Sequence, residues 1–327
     1  MFKHFFLNKK YALYAWGVLA LLLSLSVAQV YMATVINDWY KVFYDSLQNK
    51  SYDIFISSLF QFGWMAAIMI VLATANLYIA QVYCFKWREA LTFAYLPLWR
   101  ATDDTVEGAS QRIQEDIMRW STLVHRLGLG LFKAKLTLLA FIPKLWHMSA
   151  DILIFGTHIP GLLVWIALIT SLGGLGVSVF VGRKLPKLEY NNQKTEAAFR
   201  KSLVLSEDSR FAVDMETLSQ QFSAIRANYR ELYNNFKWYS LWENSYGQCS
   251  ILIPYIIGAP SYFASVIKLG DLIQISNAFD KVHDSFNYFI TNWTSVTELR
   301  SIMLRLKEFE ASLDNATVRQ SVEPVQK

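Results

Sequence analysis

Thirty consecutive residues, Ile54–Tyr83, carry no charge. As an α-helix such a run rises about 45 Å, which exceeds the roughly 30 Å hydrocarbon core of a bilayer. Inside hydrocarbon every backbone amide and carbonyl has to be satisfied by the chain itself, so a helix is the one open choice for a single segment. The excess length predicts tilt or projection beyond the membrane. Tyr11–Ile36, with 26 uncharged residues, Ile159–Gly182, with 24, and Asn244–Ile267 repeat the pattern. Two weaker stretches complete the set. Leu127–Ser149 is interrupted by Lys133, Lys135, Lys144 and Pro143, and Leu272–Val296 carries Asp280, Lys281, His283 and Asp284 in its middle.

The reading is an all-α membrane protein with six spans, at about 11–36, 54–83, 127–149, 159–182, 244–267 and 272–296. They form one membrane domain over 1–310, followed by a polar tail at 311–327. Charged residues make up 17% of the chain, below the roughly 25% of soluble domains. The first run is far longer than the 7–15 apolar residues of a signal peptide, so it reads as a retained span. Trp39, Tyr40, Phe43 and Tyr44 read as an interfacial loop after it. Most Lys and Arg fall between spans two and three and between spans four and five. This places those segments and both termini in the cytoplasm.

Both long segments read as helical extensions of the spans. Leu218, Phe222, Ile225, Tyr229, Leu232 and Phe236 recur at spacings of 4, 3, 4, 3 and 4, a coiled-coil-like seam leading into span five. Six spans with two long helical cytoplasmic loops have the layout of the membrane half of an ABC exporter, an analogy of architecture.

Several chemistries are missing from the sequence. There is no GxxxxGK[ST], HExxH, GxSxG or CxxC, and the two cysteines and five histidines are scattered. No enzyme, metal site or cofactor is expected. The net charge of +5 is spread without a basic block, which argues against a nucleic-acid partner. Gly173, Gly174 and Gly176 sit within an apolar span, where they suit close helix packing better than phosphate binding.

After span four comes LEYNNQKTEAAFRKSLVLSED, Leu188–Asp208. Glu189, Glu196 and Glu207 lie 7 and 11 residues apart, so on a helix all three fall within about 20° of one line. Such a stripe leaving a span is a path for protons or a cationic substrate. The alternative is a solvated face in which Glu196 pairs with Arg200, four residues on. For Asp208 the alternative is a local turn or cap within Ser206–Ser209. Glu115 has its own candidate partner in Arg119. Asp280, His283 and Asp284 either line water within the bilayer or sit solvated at its edge.

The segment EGASQRIQEDIMRW, Glu107–Trp120, resembles the signature of the SbmA/BacA family, bacterial inner-membrane proteins that take up peptide antibiotics. The resemblance continues through Phe85–Arg88, Leu138–Pro143, Lys184–Glu189, Asn192–Lys201, Glu207–Asp208, Phe222–Tyr229, Gln274–Asn277, Asn292–Thr294 and Arg305–Glu310. It implies a homodimer with an ABC-exporter-like membrane fold and no nucleotide-binding domain, moving peptides across a lipid bilayer with the proton gradient. It further implies that the functional acids fall on Glu196, Glu207 and Asp208, with Glu107, Glu115 and Glu298 as additional family-like acids. Three departures stand out. The N-terminal extension of familiar members is lacking, His125 stands where they tend to carry an acid, and the middle of span six is more charged. The alternative reading is the membrane subunit of an ABC transporter that uses a separate ATPase chain, for lipid or fatty acyl cargo.

Overall fold

The chain begins with a short helix, α1 (Lys3–Phe6), and then α2 (Ala12–Gln48) and α3 (Tyr52–Arg100). A computed structural model describes residues 1–100, 109–154, 157–209 and 213–322, with backbone alone at 151, 153–154, 157–158, 193, 208, 289–290 and 314–322. After α4 (Ala109–Gln111) a π-helical turn, Arg112–Asp116, leads into α5 (Ile117–Met148). A two-residue antiparallel ladder, β1 (Leu153–Ile154) with β2 (Thr157–His158), precedes α6 (Leu162–Gly182). Then follow α7 (Leu185–Asp208), α8 (Met215–Phe263), α9 (Leu269–Phe286), α10 (Tyr288–Thr291) and α11 (Trp293–Val322). The secondary structure of the described residues is thus helical apart from that ladder. Among the described residues three helices, α2, α3 and α6, are long and apolar enough to cross a membrane. The other three expected crossings fall on α5, α8 and the α9–α11 stretch.

The described residues form two compact units, Met1–Val164 with Gly258–Lys327, and Trp165–Ile257. In the first, α2 and α3 form a hairpin closed by Lys50, whose φ of 55° ends α2 in the left-handed conformation. The expected aromatic loop at Trp39–Tyr44 is helical instead. Trp39 stacks on Phe43 at 4.7 Å and meets Phe62 of α3 at 4.8 Å, so packing across the hairpin carries the helix on to Gln48.

An aromatic core joins α1, α3, α5 and α11. Phe5 stacks on Trp87 at 5.3 Å, and Trp87 meets Trp120 edge-on at 5.0 Å. Ile302, Leu306, Phe309 and Leu313 of α11, at spacings of 4, 3 and 4, are buried in the same cluster. The last part of the chain therefore belongs to the core as far as Leu313, and α11 continues to Val322, within the polar tail expected at 311–327.

In the second unit α6 runs antiparallel to α8. Tyr246 donates to the carbonyl of Thr170 (2.9 Å), and Trp242 Nε1 donates to Ser178 Oγ (3.0 Å). A side chain at Gly174 would overlap the Tyr246 ring, whereas Gly173 and Gly176 meet open space. Of the glycine cluster, Gly174 is the one that close helix packing uses. The α7–α8 contact buries Leu188, Ile225 and Leu232, but Phe222 and Phe236 of the expected seam remain about half exposed. Polar pairs replace them, with Asn228 donating to Thr195 (3.2 Å) and Gln221 to Ser202 (3.0 Å).

Candidate functional site

The acid stripe lies on α7, a single helix from Leu185 to Asp208 with Pro186 in its first turn, where a missing N–H costs nothing. Leu188, Asn192 and Ser202 turn inward against α8. Glu189 and Glu207 are exposed, and Glu196 is partly so. Among the described residues none of the three acids forms an ion pair, so the Glu196–Arg200 pair that would have made this an ordinary surface helix is not formed. The side chain of Asp208 and the whole of Glu107 lie outside the described residues.

The remaining acids are held differently. Glu115 takes the ion pair that its spacing suggested, 2.8 Å from Arg119, which also reaches Glu298 on α11 at 3.6 Å. This bridge borders a groove of about 540 Å³ lined by Arg88, Gln111, Gln114, Glu115, Met118 and Arg119. Asp280 and Asp284 share a face of α9 and make no ion pair among the described residues. His283 is buried, stacked on Phe279 at 5.9 Å, with the Asn287 amide 3.2 Å from its ring. His125 is partly buried beside the Tyr83 ring, 5.3 Å between centroids. Lys133 does not remain bare in its span but donates to Gln29 of α2 (2.8 Å), which in turn donates to the Leu72 carbonyl of α3 (3.0 Å). No cluster of three or more His, Cys, Asp or Glu with metal-binding geometry occurs among the described residues.

The sequence reading missed Asp116. It ends the π-helical turn with a side chain only 2% exposed, and it takes two hydrogen bonds from Arg305 (3.0 and 2.7 Å) and one from Arg112 (3.1 Å). Burial opposes its ionisation, yet the Arg305 and Arg112 guanidinium groups outweigh burial and hold its carboxyl below the usual value of 3.8. The sign of the pH effect follows. A depressed carboxyl favours the folded state at every pH above the unfolded value, and the contribution is lost as pH falls through the folded one. Unfolding midpoints measured from pH 6 down to 3 should drop steeply below about pH 4, and Asp116→Asn should flatten that drop.

Among the described residues, three helices long and apolar enough to cross a bilayer define a membrane protein. Residues 8–314 match the SbmA/BacA-like family, and the chain belongs to it. Among curated relatives it is 27% identical, over 92% of its length and 57% of the relative's, to the inner membrane ABC transporter ATP-binding protein YddA of Escherichia coli. It is 25% identical to the chloroplastic ABC transporter D family member 2 of Arabidopsis thaliana, over 92% of this chain and 43% of that one. An uncharacterized ABC transporter ATP-binding protein of Haemophilus influenzae is likewise 25% identical, over 78% and 46%. The chain spans about half the length of these relatives.

Proposed function

We propose that the protein is a homodimeric, proton-driven importer of peptides, antimicrobial peptides included, in a bacterial inner membrane. It has six spans and both termini in the cytoplasm. The observation that carries this reading is the row of three acids on one face of α7, none of them in an ion pair among the described residues. Two carboxylates near a bound cationic peptide each contribute about 1 kcal/mol at 4 Å in a water-like dielectric. Together they change affinity roughly thirtyfold on protonation, since 1.4 kcal/mol is a factor of ten. That is enough for a proton to convert a site that holds a cationic peptide into one that releases it. Asp280 and Asp284 on α9 are a second pair of acids for the same chemistry.

The test is uptake of a labelled cationic peptide by the purified protein in liposomes, with and without an imposed pH gradient and without ATP. Uptake that follows the gradient and collapses with a protonophore is the expected result. A second reading has its own support, because two of the relatives are named as ABC transporter ATP-binding proteins and this chain spans about half of them. Under that reading the chain is a membrane subunit whose partner is an ATPase. Transport that ignores the pH gradient and needs ATP together with that partner would establish it.

A further inference from the structure

At the end of α2 remote from the N-terminus, its face toward α9 turns polar. Asn37 donates to the Gln274 carbonyl (3.0 Å), and Gln274 Nε2 donates to Asp38 Oδ1 (2.7 Å). The same Asp38 oxygen accepts the ammonium of Lys144 from α5 (2.5 Å), which also reaches the Thr34 carbonyl (3.2 Å). One turn further, Lys41 pairs with Asp271 (2.6 Å), and Asp45 and Gln48 accept the first backbone N–H groups of α9, from Gly270 and Leu269. Any side chain at Gly270 would run into the Lys41 carbonyl and the Asp45 carboxylate, so the two helices can meet this closely only with glycine there.

We infer that Asp38, Lys144 and Gln274 form a latch that holds α9 against α2 and α5, and that its release opens the outer end of the transport path. The inference rests on the transporter reading above, whose orientation puts this end of α2 outside the cytoplasm.

Two observations separate a latch from a fixed brace. The first is exposure. Asp116, the fixed ion cluster of this unit, is 2% exposed, whereas the Asp38 side chain is 62% exposed and its Lys144 partner 20%. An ion pair that water reaches contributes little to holding the fold and breaks readily. The second is that α9 is a separate helix, broken from its neighbours in sequence on both sides. It is preceded by Ser265 in the left-handed conformation (φ 59°) and is followed by a break at Asn287 before α10 and α11. An 18-residue helix bounded in this way can swing as one piece once the contacts at its first turns part, carrying Asp280 and Asp284 with it.

The latch is tested with a reporter thiol at Ser276→Cys, a buried α9 position, in a Cys249→Ser background. The reagent is a membrane-impermeant maleimide applied from outside. Asp38→Asn and Lys144→Met should each raise the labelling rate about fivefold by populating the open form. The charge-exchanged pair Asp38→Lys/Lys144→Asp should bring it back to within about twofold of the parent. Labelling at the parental rate in both single variants overturns the latch, as does an exchanged pair that labels as fast as the singles. Peptide uptake measured on the same preparations keeps the two claims apart. A parent that labels as expected but transports nothing counts against the importer and not against the latch.

Discussion

Glu196→Gln/Glu207→Gln should abolish gradient-driven peptide uptake, lowering the initial rate at least tenfold, while the protein remains folded and in the membrane. Both side chains lie on the outer face of α7 with no hydrogen-bond or ion-pair partner among the described residues. Removing their charge therefore leaves no buried cation stranded, and stability should change by less than about 0.5 kcal/mol. Glutamine keeps the shape and polarity of glutamate but cannot take up a proton. The loss in rate thus isolates titration, and the two single variants should each retain partial uptake because either carboxylate alone still attracts a cationic peptide. Uptake undiminished in the double variant would remove these residues from the mechanism.

Arg305→Met should have the largest effect on stability. It removes two of the three hydrogen bonds to Asp116 and leaves a carboxylate that is 2% exposed with Arg112 alone. Stranding one member of a buried ion pair typically costs 3–5 kcal/mol. Arg305 is itself 35% exposed and Arg112 remains, so about 3 kcal/mol is expected, the lower end of that range. The measurement is thermal or denaturant unfolding in detergent. The double variant Arg305→Met/Asp116→Asn should recover most of the loss, because the stranded charge is then gone. A double variant no more stable than Arg305→Met would mean that the arginine acts through its aliphatic packing on α5 rather than through its charge.

Much of the fold could be read from the chain because hydrocarbon leaves so few options. The uncharged runs at 11–36, 54–83 and 159–182 coincide, to within three residues at their starts, with parts of α2, α3 and α6. Where the reading missed, the cause was packing. Trp39 with Phe43 and Tyr40 with Tyr44 are four apart, a helical spacing, but aromatic composition suggested a membrane interface and hid the periodicity. On α8 only apolar positions were counted. The seam that forms is heptad-spaced through Ile225 and Leu232 and takes Gln221 and Asn228 as its other members, because α7 presents Ser202 and Thr195 opposite them. The acids of α7 were legible from spacing alone, and so was the Glu115–Arg119 pair. Asp116 was not. Its main partner lies 189 residues away on α11, and no local pattern reports a contact of that range. Asp38 was passed over for the same reason, since Gln274 and Lys144 come to it from distant parts of the chain.

The π-helical turn at Arg112–Asp116 bears on how this segment tolerates changes in length. Its hydrogen bonds close over five residues instead of four, so the helix accommodates one residue more than an α-helix of the same rise. Deleting a single residue such as Gln114 would let the turn relax into ordinary α-helix without leaving a gap in the backbone. Five π-helical residues wind about as far as four α-helical ones, so the segment on its N-terminal side would keep nearly the same angular phase relative to α5. Arg112 would then stand three residues before Asp116, and Gln111 three before Glu115, spacings that still face each other on a helix. This short turn therefore holds one spare residue, and the signature segment can lose it without turning away from its partners.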